Sequence, residues 1–402
     1  MSSLKYWVWL SEVEGVGPVT AARLIGKFKT VDMVYLAEAH SYTDVEGITA
    51  FEIKQLMKKD LGKANRILAS CDETGCRVIT QQDADYPEYL KNIYDPPVVL
   101  YVKGTLPRVD EDPVISVVGT RNCTPYGLTA AESIGYKLSK HGFIVATGLA
   151  RGIDSAATLG ALRGGNPVIG VIGTGIDVIY PPENRSLYED VAGNGAIISE
   201  YPPGTQPAKL NFPMRNRILS GLSDGVTVIE APRSSGALIT AGRALEEGRD
   251  IFVLPGNVDA VTCEGSNALM RNSVATPIIS ANDIIKHYMD RYPGKILRIE
   301  EGDDYFLDDI DTGIIKKVID NDSKVDYIDN GKKHWTPDKI IAKLDGDEKL
   351  VAETLGTRTL HVDEITIRSG LQTQQVLTAL TMLEISGFVS GESKYYSLTE
   401  SA

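Results

Sequence analysis

Between residues 113 and 285 the sequence alternates short β-branched apolar runs with longer stretches of helical spacing. The predicted strands are Val114–Val118, Ile144–Ala146, Pro167–Ile172, Ala196–Ser199, Val226–Ile229, Ile251–Val253 and Pro277–Ile279. The predicted helices between them are Gly127–His141, Asp154–Arg163, Asn184–Ala192, Met214–Gly221 and Ser235–Glu247. Strand and helix alternating in this way predict an α/β fold with a doubly wound, mostly parallel sheet.

Four glycine-rich loops follow strands of this predicted sheet, at Val118–Arg121, Thr147–Asp154, Gly173–Asp177 and Arg233–Ala241. Ligands of such sheets bind at the carboxyl ends of the strands, where backbone amides at helix N-termini can hold phosphate. We therefore expect an anionic ligand. The amides of three glycines are predicted to contact phosphate oxygens, and two arginines lie in the same loops: Gly119, Gly148, Gly236, Arg121 and Arg151.

A basic and aromatic segment, residues 209–217, stands out in an otherwise apolar region. It combines cations with a flat ring, a mixture suited to a phosphate chain whose bases can stack. The candidate binding residues in it are Lys209, Phe212, Arg215, Asn216 and Arg217. The alternative is that Phe212 is a core residue and the arginines pair with acidic neighbours.

Three acidic side chains lie near the predicted strand ends. Glu200 and Glu230 are candidate catalytic carboxylates, but pairing with Arg215 or Arg217 is the favoured interpretation. Asp154 begins a predicted helix and is expected to cap it rather than to do chemistry. No Ser-His-Asp, Cys-His or metal-ligand arrangement is visible, so we predict neither catalytic residues, nor a cofactor, nor a metal.

The charge is unevenly distributed along the chain. The net charge is −13, and eleven acidic residues against three lysines between Glu300 and Asp329 contribute −8 of it. The negative net charge argues against a protein whose whole surface is basic and binds duplex DNA. A local positive groove is still compatible with this net charge. The chain has no apolar run long enough to span a membrane and no signal-peptide pattern, and its four cysteines and five histidines lack metal-ligand spacing. A cytoplasmic, reduced protein that does not contact the membrane is expected.

We predict four segments: a helical module at 1–75, a Rossmann-like domain at 80–288, an acidic linker at 289–345 and a winged helix at 346–402. The turn Gly15-Val16-Gly17-Pro18 resembles a helix-hairpin-helix (SAM-like) unit that grips DNA phosphate, with a plain helical bundle as the alternative. The winged helix has eight acidic and four basic residues, which favours a protein contact over DNA readout.

Eight strings in fixed order over about residues 85–280 carry a resemblance to a known family. They are VVGTRN, TGLARGIDSAA, GTGIDVIYPPEN, ISEYPPG, NFPMRNRILSGLSDGVTVIEA, SSGALITA, EEGRDIFVLPGN and GSNALM. They resemble the DNA-processing protein A family, called DprA or Smf. The resemblance implies an extended Rossmann-like fold that binds single-stranded DNA, loads a RecA-type recombinase during DNA uptake and forms a homodimer.

Carried over residue by residue, the family's DNA contacts fall on Arg121, Lys209, Phe212 and the stretch from Arg215 to Arg217. Two positions depart from the family pattern. Thr120 replaces the usual serine but keeps the hydroxyl, so it stays among the predicted contacts. Thr158 replaces the usual histidine, which puts in doubt any role of that imidazole beyond packing.

Other functional classes fit less well. The lysine decarboxylase-like phosphoribohydrolases, nucleotide-hydrolysing enzymes of the same broad fold, carry a P-G-G-x-G-T-x-x-E string that Pro232–Thr240 does not reproduce. A dinucleotide-dependent dehydrogenase would need a small residue where Val178 stands, and the acidic winged helix disfavours a transcription regulator. The sequence therefore predicts a non-enzymatic binder of single-stranded DNA, with the nucleotide-processing enzyme as the alternative.

Overall fold

A computed structural model of the chain describes residues 3–299, 341, 344–356, 358–385, 388–392 and 395–398. The chain divides into two compact units, Met1–Ile315 and Lys316–Ala402, which are described separately. The Glu300–Asp329 acidic segment and most of the predicted linker lie outside the described residues. The four segment boundaries drawn from the sequence stay predictions.

The first unit begins with six short helices. They are α1 (Leu4–Ser11), α2 (Pro18–Phe28), α3 (Val31–Leu36), α4 (Ala39–Tyr42), α5 (Ala50–Leu56) and α6 (Gly62–Thr74). Gly15 and Gly47 adopt positive φ in the turns before α2 and α5, a conformation that glycine reaches without strain. The buried side chains of these helices belong to the same apolar core as one face of the sheet, including Trp7 and Leu24.

A nine-stranded sheet follows. Its strands are β1 (Arg77–Thr80), β2 (Val99–Gly104), β3 (Val114–Gly119), β4 (Ile144–Thr147), β5 (Val168–Ile172), β6 (Ala196–Ser199), β7 (Gly225–Ile229), β8 (Asp250–Val253) and β9 (Thr276–Pro277). The order is β1-β2-β6-β5-β4-β3-β7-β8-β9. The seven strands from β3 to β9 run parallel, while β2 pairs antiparallel with both β1 and β6. The predicted doubly wound, mostly parallel sheet is thus confirmed, with two further strands that the alternation did not reveal, of which β2 runs antiparallel to the rest.

Helices cover both faces of the sheet, as crossover connections between parallel strands require. They are α7 (Glu88–Lys91), α8 (Pro125–Lys140), α9 (Ile153–Gly164), α10 (Arg185–Asn194), α11 (Asn211–Leu222), α12 (Gly236–Glu246), α13 (Glu264–Arg271) and α14 (Ala281–Tyr288), with 3-10 turns at Pro182–Asn184 and Val261–Cys263. Along β3, Ile115 and Val117 face the core shared with α8, α9 and α10, whereas Val114 and Val118 face α11 and α12. No helix of the described residues is long and apolar enough to cross a bilayer.

Helix α11 begins one turn earlier than the sequence predicts, at Asn211 instead of Met214. Proline is tolerated in the first helical turn, where its missing N–H would have no partner, so Pro213 does not delay the start. The earlier start places Phe212 on the first turn of the helix.

The second unit is a small winged helix. Its elements are α15 (Gly346–Leu355), β10 (Leu360–His361), α16 (Val362–Ser369), α17 (Thr373–Ile385), β11 (Val389–Glu392) and β12 (Tyr395–Leu398), with strand order β10-β12-β11. Its core includes Val351, Leu355, Ile365 and Leu380. Helix α17 contains no lysine or arginine, so the helix that would enter a DNA groove offers no cation to phosphate.

Candidate nucleic-acid interface

A cleft lies at the carboxyl ends of β3 and β7, where the strand order reverses direction. Chain connections lead from β3 toward β4 on one side and from β7 toward β8 on the other, which opens a crevice at this switch point. The cleft has a volume of about 330 Å³, and seven of the predicted binding residues line it: Gly119, Thr120, Arg121, Phe212, Arg215, Asn216 and Gly236. A smaller recess of about 40 Å³, which shares Arg121, Phe212 and Arg215, adds Gly148 and Arg151.

An aromatic pair with a cation beside it stands where the cleft meets the smaller recess: Phe212 lines both, and Tyr180 lines the recess. The rings of Phe212 and Tyr180 have centroids 5.5 Å apart and an interplanar angle of 38°. The guanidinium carbon of Arg121 lies 5.5 Å from the Phe212 ring centroid, within cation–π range. Phe212 is half-buried and Tyr180 is 41% exposed, so the pair still presents ring surface to a ligand. Phe212 is therefore not a core residue, contrary to the alternative that the sequence left open.

Two predicted binding cations, Arg121 in the cleft and Lys209 just before α11, have no carboxylate within ion-pair distance in the described part of the chain. Arg121 and Lys209 are exposed, and within the described residues neither forms an ion pair. Lys209 does not line the cleft itself but stands two residues before α11, whose first turn carries Phe212. Both side chains keep their full charge available for an anionic ligand.

Arg215 lies inside the protein at the base of the cleft and is only 5% exposed. Its Nη1 donates to the carbonyl oxygen of Gly148 at 2.8 Å and to that of Val171, and its Nε donates to Asn216 Oδ1 at 3.2 Å. Burial lowers the pKa of Arg215 to about 10, so the guanidinium stays charged at neutral pH. The side chain thus ties α11 to the ends of β4 and β5 and places a guanidinium at the cleft floor, next to the buried Asp154.

Arg217 is fully buried and points away from the cleft. Its Nη2 donates to both carboxylate oxygens of Glu200, at 2.6 and 2.7 Å, and its Nε lies 3.2 Å from Asp95 Oδ2. Burial raises the pKa of Glu200, against the opposing effect of the Arg217 charge. The structure therefore separates Arg217 from the cleft-lining residues with which the sequence grouped it, and Glu200 is its ion-pair partner, as the sequence favoured.

Asn216 connects α11 to the N-terminus of α12. Its Nδ2 donates to the Gly236 carbonyl at 3.1 Å. At the start of α12 the Ser235 hydroxyl accepts from the Ala237 N–H at 3.2 Å, the usual capping arrangement. The Gly236 amide lies beside this cap at the cleft wall, where the positive end of the helix dipole favours an anion.

The other glycines serve close packing. The Gly148 N–H donates to Asp154 Oδ2 at 3.0 Å, and a Cβ at Gly148 would lie 2.5 Å from the Arg215 guanidinium. The expected phosphate donor at Gly148 is thus already engaged by a side chain. A Cβ at Gly119 would lie 2.1 Å from the Ile229 carbonyl oxygen, so glycine is required where β3 meets β7.

The remaining polar residues organise the loops. The Thr120 N–H donates to the Glu230 carbonyl at 2.8 Å, and Arg151 pairs with Glu183. Thr158 is fully buried and bonds Thr147 Oγ1 at 2.8 Å, so this position packs in the core. Arg151 is accordingly a neutralised cation at the edge of the site.

Two acidic residues differ from expectation. Glu230 pairs with neither Arg215 nor Arg217, because its carboxylate accepts from the Thr124 N–H at 2.8 Å and from the Thr124 hydroxyl, just before α8. Asp154 does not cap its own helix; it holds the loop between β4 and α9 through Gly148. Burial raises the pKa of Asp154, and the nearby Arg215 charge opposes that shift.

Tyr180 is a site residue that was not predicted from the sequence. It belongs to the third glycine-rich loop, in the stretch that runs from Gly173 to Asn184. An exposed aromatic side chain directly after a glycine-rich loop was the available signal, but its nearness to Phe212 depends on how residues 32 positions apart fold together.

Comparisons with known proteins match each of the two units to a protein family. The family described as DNA recombination-mediator protein A matches residues 77–289, and the DprA winged helix domain matches residues 336–392. Protein Smf of Synechocystis sp. is 34% identical over 97% of each chain, and DNA processing protein DprA of Bacillus subtilis is 39% identical over 61% of this chain and 82% of its own. The X-ray structure of DNA processing protein A from Streptococcus pneumoniae aligns with a TM-score of 0.63 and 33% identity, covering 70% of this chain and 97% of that one.

Proposed function

The chain belongs to the DNA recombination-mediator protein A family (DprA/Smf), and we propose that it binds single-stranded DNA in the cleft between β3 and β7. One observation carries the proposal: the half-buried Phe212 ring, paired with Tyr180, lies beside the Arg121 guanidinium, which forms no ion pair within the described residues. Stacking surface beside free positive charge is the combination that single-stranded nucleic acid requires.

The chemistry favours a single strand over a duplex. A base can stack on Phe212 only when it is turned out of its own helix, and in a duplex every base is already stacked and paired. Such base–aromatic stacking contributes about 1–3 kcal/mol per base and tolerates any sequence. We therefore assign Phe212 and Tyr180 the role of a base platform.

The phosphate chain is assigned to the unpaired cations. Arg121 can clamp a phosphate with two parallel N–H donors, while Lys209 supplies a point charge at the entrance. The Gly236 N–H at the start of α12 can donate to a phosphate oxygen, which the positive end of the helix dipole also favours. The buried Arg215 stays with its carbonyl partners and holds the cleft floor in place.

Further steps rest on the family relationship. We propose that the bound strand is incoming DNA during uptake, that the protein loads a RecA-type recombinase on it in the cytoplasm, and that it acts as a homodimer. For the winged helix we propose a protein contact, because α17 carries no lysine or arginine and DNA binding depends on cations that neutralise phosphate.

We propose that the activity is non-enzymatic. The two carboxylates nearest the cleft are occupied: Asp154 accepts from the Gly148 N–H, and Glu230 accepts from Thr124. Among the described residues no group of three or more potential ligands could hold a metal ion. The alternative, a nucleotide-hydrolysing enzyme, would need a carboxylate free to activate water.

A binding titration tests the proposal. Fluorescently labelled oligo(dT) and a duplex of equal length are titrated with the protein at two salt concentrations. We expect tighter binding of oligo(dT) at both. Equal or stronger binding of the duplex would contradict the proposal, and release of base from nucleoside monophosphates by the same protein would favour the enzyme.

A further inference from the structure

Two cysteines meet where the helical module joins the sheet. Cys71 lies in the last turn of α6, Cys76 directly precedes β1, and both side chains are buried, at 2% and 8% exposure. Both are free thiols. They lie far along the chain from the cleft residues, and the proposed DNA binding does not use them.

A backbone hydrogen bond brings the two cysteines close together. The Cys76 N–H donates to the Cys71 carbonyl oxygen at 2.8 Å. Standard bond lengths then place the two Cα atoms no more than about 7 Å apart, and disulfides commonly span about 4.4–6.8 Å. Gly75, in the left-handed conformation at φ 65°, makes the turn that brings them together.

The side chains also interact. The interaction between the two thiols raises the pKa of Cys71 and lowers the pKa of Cys76, and the Cys76 Sγ also lies 3.7 Å from the Arg77 carbonyl oxygen, to which it donates. A sulfur that receives a hydrogen bond from a neighbouring thiol is the better nucleophile of the two, as in other dithiol sites. This polarity favours Cys76 as the attacking thiol and Cys71 as the resolving thiol.

We propose that Cys71 and Cys76 form a redox-active dithiol that a hydroperoxide oxidises to a disulfide. The Cys76 thiolate attacks one peroxide oxygen, which breaks the O–O bond and gives Cys76 sulfenic acid and, for hydrogen peroxide, water after protonation. The Cys71 sulfur then attacks the sulfenic sulfur and expels a second water. In balance, two thiols and one peroxide give one disulfide and two waters. The disulfide covalently joins the end of α6 to the start of the sheet's edge strand β1.

A disulfide between Cys71 and Cys76 would affect the junction between the N-terminal helices and the sheet. β1 pairs only with β2 at the edge of the sheet, and α6 is the last helix of the N-terminal module. The disulfide would hold this junction together, so oxidation is expected to slow amide hydrogen exchange around residues 71–77.

The test uses the full-length protein and mass spectrometry. Trypsin cuts after Arg66 and Arg77, so both cysteines fall on one peptide, residues 67–77, while Cys123 and Cys263 fall on separate peptides. Mild hydrogen peroxide, followed by alkylation, should give a 67–77 peptide about 2 Da lighter than the dithiol form and closed to alkylation, and dithiothreitol should reverse this.

Variants separate the two steps. Cys71→Ser should lose the disulfide and instead trap a dimedone adduct on Cys76, whereas Cys123→Ser, the matched control, should leave the 67–77 disulfide unchanged. The proposal is overturned if peptide 67–77 of the wild-type protein keeps two alkylatable thiols under peroxide that oxidises Cys123. A disulfide that joins two chains instead of these two residues would also overturn it.

Discussion

The two halves of the basic segment 209–217 have opposite environments. Lys209 is exposed without an ion-pair partner in the described part of the chain, and Phe212 presents its ring to the cleft. One turn later, Arg215 and Arg217 are buried and bonded to carbonyls and carboxylates. Residues of the same charge thus divide into an outer half, available to a ligand, and an inner half that fixes the helix to the sheet.

This difference shows that a basic residue near a binding site does not by itself indicate a contact. A cation contributes to DNA binding only when no carboxylate of the protein already neutralises it. A buried cation that is bonded to carboxylates mainly stabilises the fold. When it is removed, its carboxylate partners stay buried without a counter-charge, which lowers the free energy of unfolding. The following predictions test this division, from the largest expected effect to the smallest.

The largest effect is expected from Arg217→Ala. Removing the guanidinium leaves Glu200 and Asp95 without their buried partner, which should lower the free energy of unfolding by about 3–5 kcal/mol. Urea unfolding at neutral pH measures it. Lys209→Ala, the matched control in the outer half, should stay within about 0.5 kcal/mol of wild type. An Arg217→Ala protein as stable as wild type would remove the distinction between the halves.

Phe212→Ala should weaken oligo(dT) binding by about tenfold or more, because one stacked base contributes about 1–3 kcal/mol. Phe212→Tyr keeps the ring and should retain most of the affinity. As an aromatic control, Tyr94→Ala removes a tyrosine that is 77% exposed and does not line the cleft, and it should change nothing. Unchanged affinity of a folded Phe212→Ala protein would exclude the base platform.

The salt dependence should identify the phosphate contacts. Arg121→Ala and Lys209→Ala should each flatten the slope of log K against log salt by about 0.7, the single-strand value per phosphate. Both should weaken oligo(dT) and oligo(dA) alike, whereas Lys286→Ala, at an exposed lysine of α14, should leave the slope as it is. A loss confined to one base composition would instead indicate base readout.

The smallest effect concerns the acidic segment. The test is a truncated protein that lacks this segment and everything after it. The truncation is placed after Ile299 and not near Tyr288, because Tyr292 donates to Asp224 at 2.7 Å and Ile296 is buried. The shortened protein should keep its oligo(dT) affinity, or gain a few-fold at low salt, where the removed negative charge is least screened. A tenfold loss at both low and moderate salt would make the C-terminal part a direct DNA-binding element.

Much of the fold could be predicted from the sequence because buried parallel strands read as continuous apolar runs. The edge strand β1 and its neighbour β2 were missed, since they lie before the alternating region and pair antiparallel with each other. In the site, Phe212 and Arg121 were found from residue type and spacing. The burial of Arg217 could not be predicted, because its partner Asp95 lies more than a hundred residues away in the chain. Likewise the engagement of the Gly148 amide depends on how Asp154 folds back over the loop.

The most direct test of the division is ultraviolet cross-linking of the wild-type protein to oligo(dT), followed by peptide mapping. Trypsin releases residues 210–215, which contain Phe212, as one peptide after cutting at Lys209 and Arg215. If Phe212 and Tyr180 form the base platform, cross-linked nucleotide is found on this peptide or on the one that contains Tyr180. A duplex of equal length is expected to give few cross-links. Cross-links confined to the winged helix or to the N-terminal helices, with none at Phe212 or Tyr180, would contradict it.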